Sequence, residues 1–199
     1  MKQIFLGTTN PNKVSEIKEI LDIPIDFILP SDIGIITKPK EHGKTIYENA
    51  VQKALEYAKL SSLLTMAEDS GIEIDALDGR PGVLSSRFGG DIPYKEKNEL
   101  ILSLMKDVPY EKRKTRYRAV IAIASPDGLI KTEEGIVEGM IAFEQRGNNG
   151  FGYDPIFFYP PYNKTFGEVE REDKNKVSHR AEALRKIKPL LEKLLKCQK

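Results

Sequence analysis

Cysteine is almost missing from this chain: Cys197 is the only one. An intrachain disulfide is excluded, and so is a zinc site built on cysteine ligands. Histidine is nearly as scarce, with His42 and His179 alone, which excludes a histidine-rich metal centre. No serine or cysteine has the histidine-and-acid setting that a nucleophile needs, so a catalytic triad is not supported. Cys197 reads as an inert tail residue. Excess charge of one sign is also lacking: 31 basic residues face 30 acidic ones, a net charge of +1. No global field draws this chain to nucleic acid or to an acidic membrane. Long hydrophobic runs are absent too. The opening "MKQIFLGTTNPNK" holds an apolar run too short for a signal peptide or a membrane span, so a cytoplasmic protein is expected. Tryptophan is absent, which carries no functional message.

What is present is ordinary for a globular protein: 199 residues, 40% hydrophobic and 31% charged. That length suits one domain, or one domain with two lobes. Lys2 to Gly7 reads as a strand, and Asn10 to Asp22 as a helix with Asn10 as cap and Pro11 at its first position. A short strand is expected near Asp26 to Leu29. Thr45 to Leu60 is a strong helix, with capping-box spacing between Thr45 and Glu48 and apolar residues at helical spacing. Leu63 to Glu68 reads as a buried strand that Ile72 to Ala76 extends or pairs with. Asp78 to Gly90 is rich in turn formers and reads as an irregular functional loop. Tyr94 to Met105 is expected to be helical. Thr115 to Ser125 and the run from Leu129 flank Pro126-Asp127-Gly128, a hairpin signal. Ser178 to Lys196 reads as a final helix capped by Ser178, kinked or split by Pro189. Early βα units followed by a hairpin predict a mixed sheet with helices packed on it.

Several stretches carry chemistry. "TTNPNK", residues 8 to 13, turns a strand into a helix. A helix N-terminus leaves backbone N–H groups unpaired and carries roughly half a positive charge, so it favours an anion. Thr8, Thr9 and Asn10 add short donors and Lys13 a full charge. The same residues read equally as a capped helix with a solvated lysine. "AEDSG", residues 67 to 71, puts Glu68 and Asp69 at the end of a buried run, where α/β sheets place ligands. Alternation along a strand points the two carboxylates to opposite sides. One of them suits Mg2+, or can orient or deprotonate a water; a polar strand exit is the plain alternative. Glu41, in "EHGKT", is a candidate second metal ligand or a solvated loop acid.

"NNGFGYDPIFF", residues 148 to 158, flanks Phe151 with Gly150 and Gly152, then places Tyr153 and Asp154. Glycines let backbone approach a ligand, an aromatic stacks on a base, and an aspartate bonds to base or ribose edges. "DKNKVSHR", residues 173 to 180, clusters Lys174, His179 and Arg180 at what reads as a helix start. Cations there oppose the macrodipole, so helix stability does not explain them, and an electron-rich base oxygen or a phosphate would. The basic run "EKRKTRYR", residues 111 to 118, reads as a loop and a strand edge protected by charge rather than as a nucleic-acid site.

Together these stretches closely resemble one family, the inosine/xanthosine triphosphate pyrophosphatases. "TTNPNK", "EHGKTIYENA", "AEDSGIEIDALDGRPGVLSSRFGG", "GFGYDPIF" and "SHRAEAL" are similar to its motifs, in its order, over nearly the whole chain. The resemblance implies an elongated α/β fold: a central mixed sheet flanked by helices, residues 1–199 forming one domain with two lobes and an active-site cleft between them. It implies a homodimer, a Mg2+ requirement, and hydrolysis of ITP, dITP and XTP to the monophosphate and pyrophosphate, with no nucleic-acid or membrane partner. By position, Thr8, Thr9, Asn10 and Lys13 would grip the triphosphate. Glu41 and Asp69 would serve the metal, with Asp69 also the base for the attacking water. Ser70 would contact the substrate. Phe151 would stack on the purine; Gly152, Tyr153 and Asp154 would line the nucleoside pocket; Lys174, Ser178, His179 and Arg180 would read the base. Many members have two aspartates where this chain has Glu68-Asp69.

The chemistry agrees with the resemblance. Attack at the α-phosphorus develops charge on phosphoryl oxygens that Mg2+ and Lys13 can stabilise. Hypoxanthine and xanthine carry a 6-oxo group where adenine carries an amino group. A donor from His179 or Arg180 would be left unpaired by adenine, at about 1–3 kcal/mol or roughly 5- to 150-fold. A non-catalytic purine-nucleotide-binding module on the same fold is the other reading, and a water-activating acid at Asp69 speaks against it.

Overall fold

The computed structural model describes residues 2–37 and 39–197; the side chain of Cys197 lies outside the described residues. In chain order the elements are β1 (Gln3–Leu6), α1 (Pro11–Leu21), β2 (Asp26–Ile28), α2 (Ile46–Ser61), β3 (Thr65–Ile74), α3 (Tyr94–Leu104), β4 (Lys114–Ser125), β5 (Gly128–Ile141), β6 (Phe157–Tyr159), β7 (Lys164–Thr165), α4 (Arg171–Val177) and α5 (His179–Cys197). Among the described residues these strands make one sheet, ordered β2-β1-β3-β4-β5-β6-β7. β1 runs parallel to β2 and β3, whereas β6 is antiparallel to β5 and β7. The sheet is mixed and the fold is α/β, as the order of elements predicts.

The chain divides into two compact units. The first comprises Met1–Asp69, Ala119–Gly135 and His179–Lys199. Its core holds Ile4, Leu6, Ile17, Leu21, Met66, Ile121, Ile123, Leu184 and Ile187. Ile4, Phe5 and Leu6 are all buried, the continuous apolar run expected of a strand between two parallel neighbours. α1 packs on α5. Asn10 caps α1: its side-chain oxygen accepts from the backbone N–H of Asn12 (3.0 Å) and of Lys13 (3.4 Å). Thr45 caps α2 through Glu48 N at 3.1 Å, but Glu48 reaches back to Lys44 N rather than to Thr45 N. Pro189 neither ends nor splits α5. It lies on an exposed face, where water can take the carbonyl that proline leaves without a partner.

The second unit comprises Ser70–Arg118 and Ile136–Ser178. Its core is aromatic: Tyr117, Tyr153, Phe157 and Phe166 sit with Ile72, Ile101 and Ile141. Of the two readings of Ile72 to Ala76, extension is the one observed: β3 runs unbroken from Thr65 to Ile74, so Glu68 and Asp69 lie within the strand and not at its end. Two expectations need correction. The basic run 111–118 is not edge protection, because β4 is an interior strand. Its three arginines are paired instead, while Lys112 and Lys114 are exposed. Arg116 pairs with Asp75 at 2.6 Å and Arg118 with Glu73 at 3.0 Å. Arg113, 1% exposed, donates to the carbonyls of Met105 (2.6 Å), Val108 (3.1 Å), Ile141 (2.8 Å) and Ala142 (2.9 Å). Last, Lys174 does not open a helix. It lies in the last turn of α4, where a cation favours the dipole, and the chain turns at Ser178 (φ −68, ψ 156) before α5 begins at His179.

Removing a buried guanidinium that serves four carbonyls costs about 1–3 kcal/mol for each one left without another donor; Met105 O keeps the Val108 N–H at 3.1 Å. Arg113→Leu is expected to lower stability by about 3 kcal/mol or more, read as a fall in the urea midpoint at unchanged slope.

Candidate active site

β1 ends at Leu6 and α1 begins at Pro11, so residues 8–10 form the turn between them. Thr8 Oγ1 accepts from Asn10 N at 3.2 Å. Asn10 spends its side-chain oxygen on two of the first helical N–H groups. No acidic residue lies in the first turn of α1. Lys13 lies one turn in, with its ammonium 3.6 Å from Glu68 Oε1, beyond hydrogen-bond reach. Burial holds the Lys13 ammonium below the usual lysine range, and attraction to Glu68 offsets this only in part. Lys13 therefore has unmet demand for an anion.

Glu68 is already committed. Its two carboxylate oxygens each take a hydrogen bond of 2.8 Å from Arg180, one from Nε and one from Nη2. Arg180 Nη1 bonds Glu16 of α1. Glu16, Glu68 and Arg180 are 3%, 2% and 1% exposed, so the group is held away from solvent and its charges must match. Burial pushes the Glu68 carboxyl up, but the Arg180 guanidinium, then Lys13, outweigh it and keep the acid far below the usual carboxylate range. The expectation that Arg180 offers its fork to a base is thus modified: Nε, Nη1 and Nη2 each hold a carboxylate of the protein.

Asp69, the next residue of β3, meets a different set, as strand alternation predicts. Asp69 Oδ1 is 2.8 Å from Lys53 Nζ and Asp69 Oδ2 is 3.3 Å from Asn49 Nδ2. Lys53 Nζ also bonds Glu41 Oε1 at 3.0 Å. Glu41 and Asp69, the two acids expected to serve a metal, are therefore joined through one ammonium. Burial lowers the Lys53 pKa, yet Asp69 and then Glu41 outweigh it and raise it. Asn49 further accepts from Gly43 N at 2.8 Å, which ties the "EHGKT" loop to α2. Among the described residues no cluster of three or more His, Cys, Asp or Glu forms a complete metal cage. Two carboxylates sharing one ammonium fit Mg2+, which keeps waters and completes its shell with substrate phosphates.

The second unit carries the aromatic turn. Asp154, 2% exposed, accepts from Phe151 N (2.8 Å) and Lys174 Nζ (2.6 Å) on Oδ2, and from Tyr117 OH (3.3 Å) on Oδ1. Its oxygens thus shape the turn instead of lying open for a base or ribose. A Cβ at Gly150 (φ +71) would collide with that carboxylate, so backbone and packing both demand glycine. Lys174 Nζ lies 4.9 Å from the Phe151 ring centre, a cation–π contact on a ring that is half-buried. Tyr153 is buried and donates to Ser85 O at 2.7 Å. Ser85 Oγ accepts from Ile72 N at 2.9 Å and donates to Gly82 O at 2.6 Å, so the loop after β3 is pinned behind Ser70 and Gly71. The carbonyl oxygen of Gly152 (φ +69) accepts from Asn98 Nδ2 at 3.3 Å.

The expected base readers are divided between the two units. Lys174 and Ser178 belong to the second unit with Phe151 and Asp154; His179 and Arg180 belong to the first. Sequence reasoning also missed Glu16, Asn49 and Lys53. A signal existed. Ile46, Asn49, Ala50, Lys53, Ala54 and Tyr57 recur at helical spacing and are all buried, so Asn49 and Lys53 are polar residues on a core face. Glu16 stands likewise beside Ile17.

The Glu68 pKa gives a stability test with a definite sign. Its folded value is depressed, so its contribution is fully present above the unfolded value, about 4.3, and is lost as pH falls toward the folded one. Glu68→Gln is expected to cost roughly 3–5 kcal/mol at neutral pH by leaving Arg180 unpaired. The gap between wild type and variant should narrow in urea unfolding at pH 3; a gap as wide at pH 3 as at pH 7 would refute the pairing.

Comparison with known proteins gives the family. The Ham1 family model matches residues 4–190. A dITP/XTP pyrophosphatase from Bacillus subtilis is 45% identical over 96% of this chain and 98% of its own. One from Desulforamulus reducens is 44% identical over 96% of both. Among solved structures, a HAM1 protein from Coxiella burnetii is 36% identical, covers 97% of this chain and 100% of its own, and superposes with a TM-score of 0.88. Near-complete coverage at this identity, on the same fold, means that the chain belongs to the Ham1 family.

Proposed function

We propose that this protein hydrolyses non-standard purine nucleoside triphosphates, ITP, dITP and XTP, to the monophosphate and pyrophosphate, and so removes deaminated purines from the nucleotide pool. The observation that carries the reading is the Glu41–Lys53–Asp69 bridge, which brings to one cation the two acids assigned to the metal. The metal is proposed to be Mg2+, held by Glu41 and Asp69; it supplies neutralisation of phosphate charge when bound. Residues 1–199 act as one pyrophosphatase domain with two lobes.

Thr8, Thr9, Asn10 and Lys13 bind the triphosphate. The Asn10 cap already takes two helical N–H groups, so side-chain donors carry more of this contact than a wrapped backbone would. Lys13 regains, in the phosphates, the anion that Glu68 cannot fully provide. Asp69 takes the proton of a water whose oxygen forms the new bond to the α-phosphorus. The bond from that phosphorus to the bridging oxygen breaks, and pyrophosphate leaves. Ser70, next to Asp69, contacts the substrate. Phe151 stacks on the purine, with Gly152, Tyr153 and Asp154 shaping the pocket beneath it. Lys174, Ser178, His179 and Arg180 select the base; Lys174 and Arg180 do so while anchored to Asp154 and to Glu68 and Glu16. A homodimer and a cytoplasmic location complete the reading. No helix among the described residues is long and apolar enough to cross a membrane.

With Mg2+, ITP is expected to yield pyrophosphate at least about fivefold faster than ATP, the low end of the cost of an unpaired donor. Equal rates would sink the substrate assignment. Asp69→Asn should lower kcat by about 100-fold or more, as loss of a general base does, while nucleotide binding stays measurable by calorimetry. Retained turnover would remove Asp69 from the base role.

A further inference from the structure

Lys53 has no place in the chemistry so far, yet it holds both acids that serve the metal. Its ammonium is 3.0 Å from Glu41 Oε1 and 2.8 Å from Asp69 Oδ1. It is carried on the core face of α2, 9% exposed, with Asn49 one turn before it on the other Asp69 oxygen. This is a built contact and not a surface pairing.

An ammonium and a divalent ion compete for the negative charge of these two carboxylates. Mg2+ bonds oxygen at about 2.1 Å, and Lys53 holds one oxygen of each acid. Two cations on the same pair of carboxylates repel, and burial screens that repulsion less than water would. We propose that Lys53 is an internal competitor for the metal site, and that it moves to the nucleotide's phosphate oxygens when the metal arrives. The flexible four-carbon stem of lysine allows such a transfer without movement of α2. Lys53 is then a positioning residue. It keeps Glu41 and Asp69 together beforehand, and couples metal binding to nucleotide binding: metal alone must displace the ammonium into nothing, whereas metal with nucleotide gives it a new anion. By linkage the coupling is reciprocal. The inference rests on Glu41 and Asp69 being the metal carboxylates.

The test is a Mn2+ titration of the full chain, read by electron paramagnetic resonance, with and without a non-hydrolysable α,β-methylene analogue of ITP. In the wild type the analogue should tighten Mn2+ binding by about tenfold or more, and in Lys53→Met Mn2+ alone should bind about tenfold tighter than in the wild type, since one repelling charge is gone. The analogue, whose phosphates still ligate the metal, should tighten Mn2+ binding less in the variant than in the wild type. Lys53→Arg keeps the charge and should retain the weak wild-type binding of Mn2+ alone. If Lys53→Met binds Mn2+ alone no tighter than wild type, the competition is refuted. A second measurement needs no variant. Reductive methylation of Lys53, followed by mass spectrometry, should increase with saturating Mn2+ alone and fall again when the analogue is added; unchanged labelling overturns the transfer. Asp69→Asn separates the two levels. If it binds Mn2+ with the analogue as well as wild type does, the metal assignment itself fails; if it loses that binding while Lys53→Met gains nothing, only the role of Lys53 fails.

Discussion

The structure of the first unit depends on one buried guanidinium. Arg180, the second residue of α5, is held by Glu68 of β3 and Glu16 of α1. Taking such charges out of water costs several kcal/mol each, an outlay recovered only when every donor finds an acceptor. Arg180 meets that condition because its fork matches the two oxygens of Glu68 and leaves Nη1 for Glu16. The result is directional in a way that apolar packing is not. It fixes where α1 stands relative to the strand bearing Asp69. Lys13, on that helix, is left beside an acid that is already spent.

The second unit repeats the device with different parts. A buried acid, Asp154, collects a lysine, a tyrosine hydroxyl and a backbone N–H, and by doing so holds Phe151 in a turn that only glycine at position 150 permits. In each unit a partly buried group, Lys13 or Phe151, stands beside a fully buried charge cluster. Buried ionic groups are weak sources of stability. Here their use is orientation: a tight constellation of donors is of value to catalysis only if it is held before substrate arrives. The Lys53 bridge differs. It joins its acids through a flexible stem, so it can be exchanged for another cation, whereas the planar fork of Arg180 cannot be replaced without leaving carboxylates unpaired.

Much of the fold was legible in the chain. Strand and helix periods, the Asn10 and Thr45 caps and the Pro126-Asp127-Gly128 turn are local features, and local features survive folding. The misreadings share a cause. The run 111–118 looks like an exposed basic edge because sequence shows charge but not which carbonyls or acids face it; Arg113 is among the most buried side chains in the molecule. Lys174 looks like a cation at a helix start because the short helix α4 before Ser178 lacks a strong periodic signal. Glu16, Asn49 and Lys53 stood in view as polar residues at core spacing, but only burial distinguishes a functional polar residue from a tolerated one.

The sequence by itself determined the family, the order of the motifs and the residue types available for the chemistry, because motif identity and short-range spacing are properties of the chain. Only the tertiary structure decided the partners. Glu68 and Asp69 are neighbours in sequence and belong to different charge groups, since successive strand residues face opposite ways. Glu41, Lys53 and Asp69 are scattered through the chain and meet at one ammonium. Long-range pairing of buried charges is set by how helices and strands stack, and that information lies in the packed core rather than in any single stretch of residues.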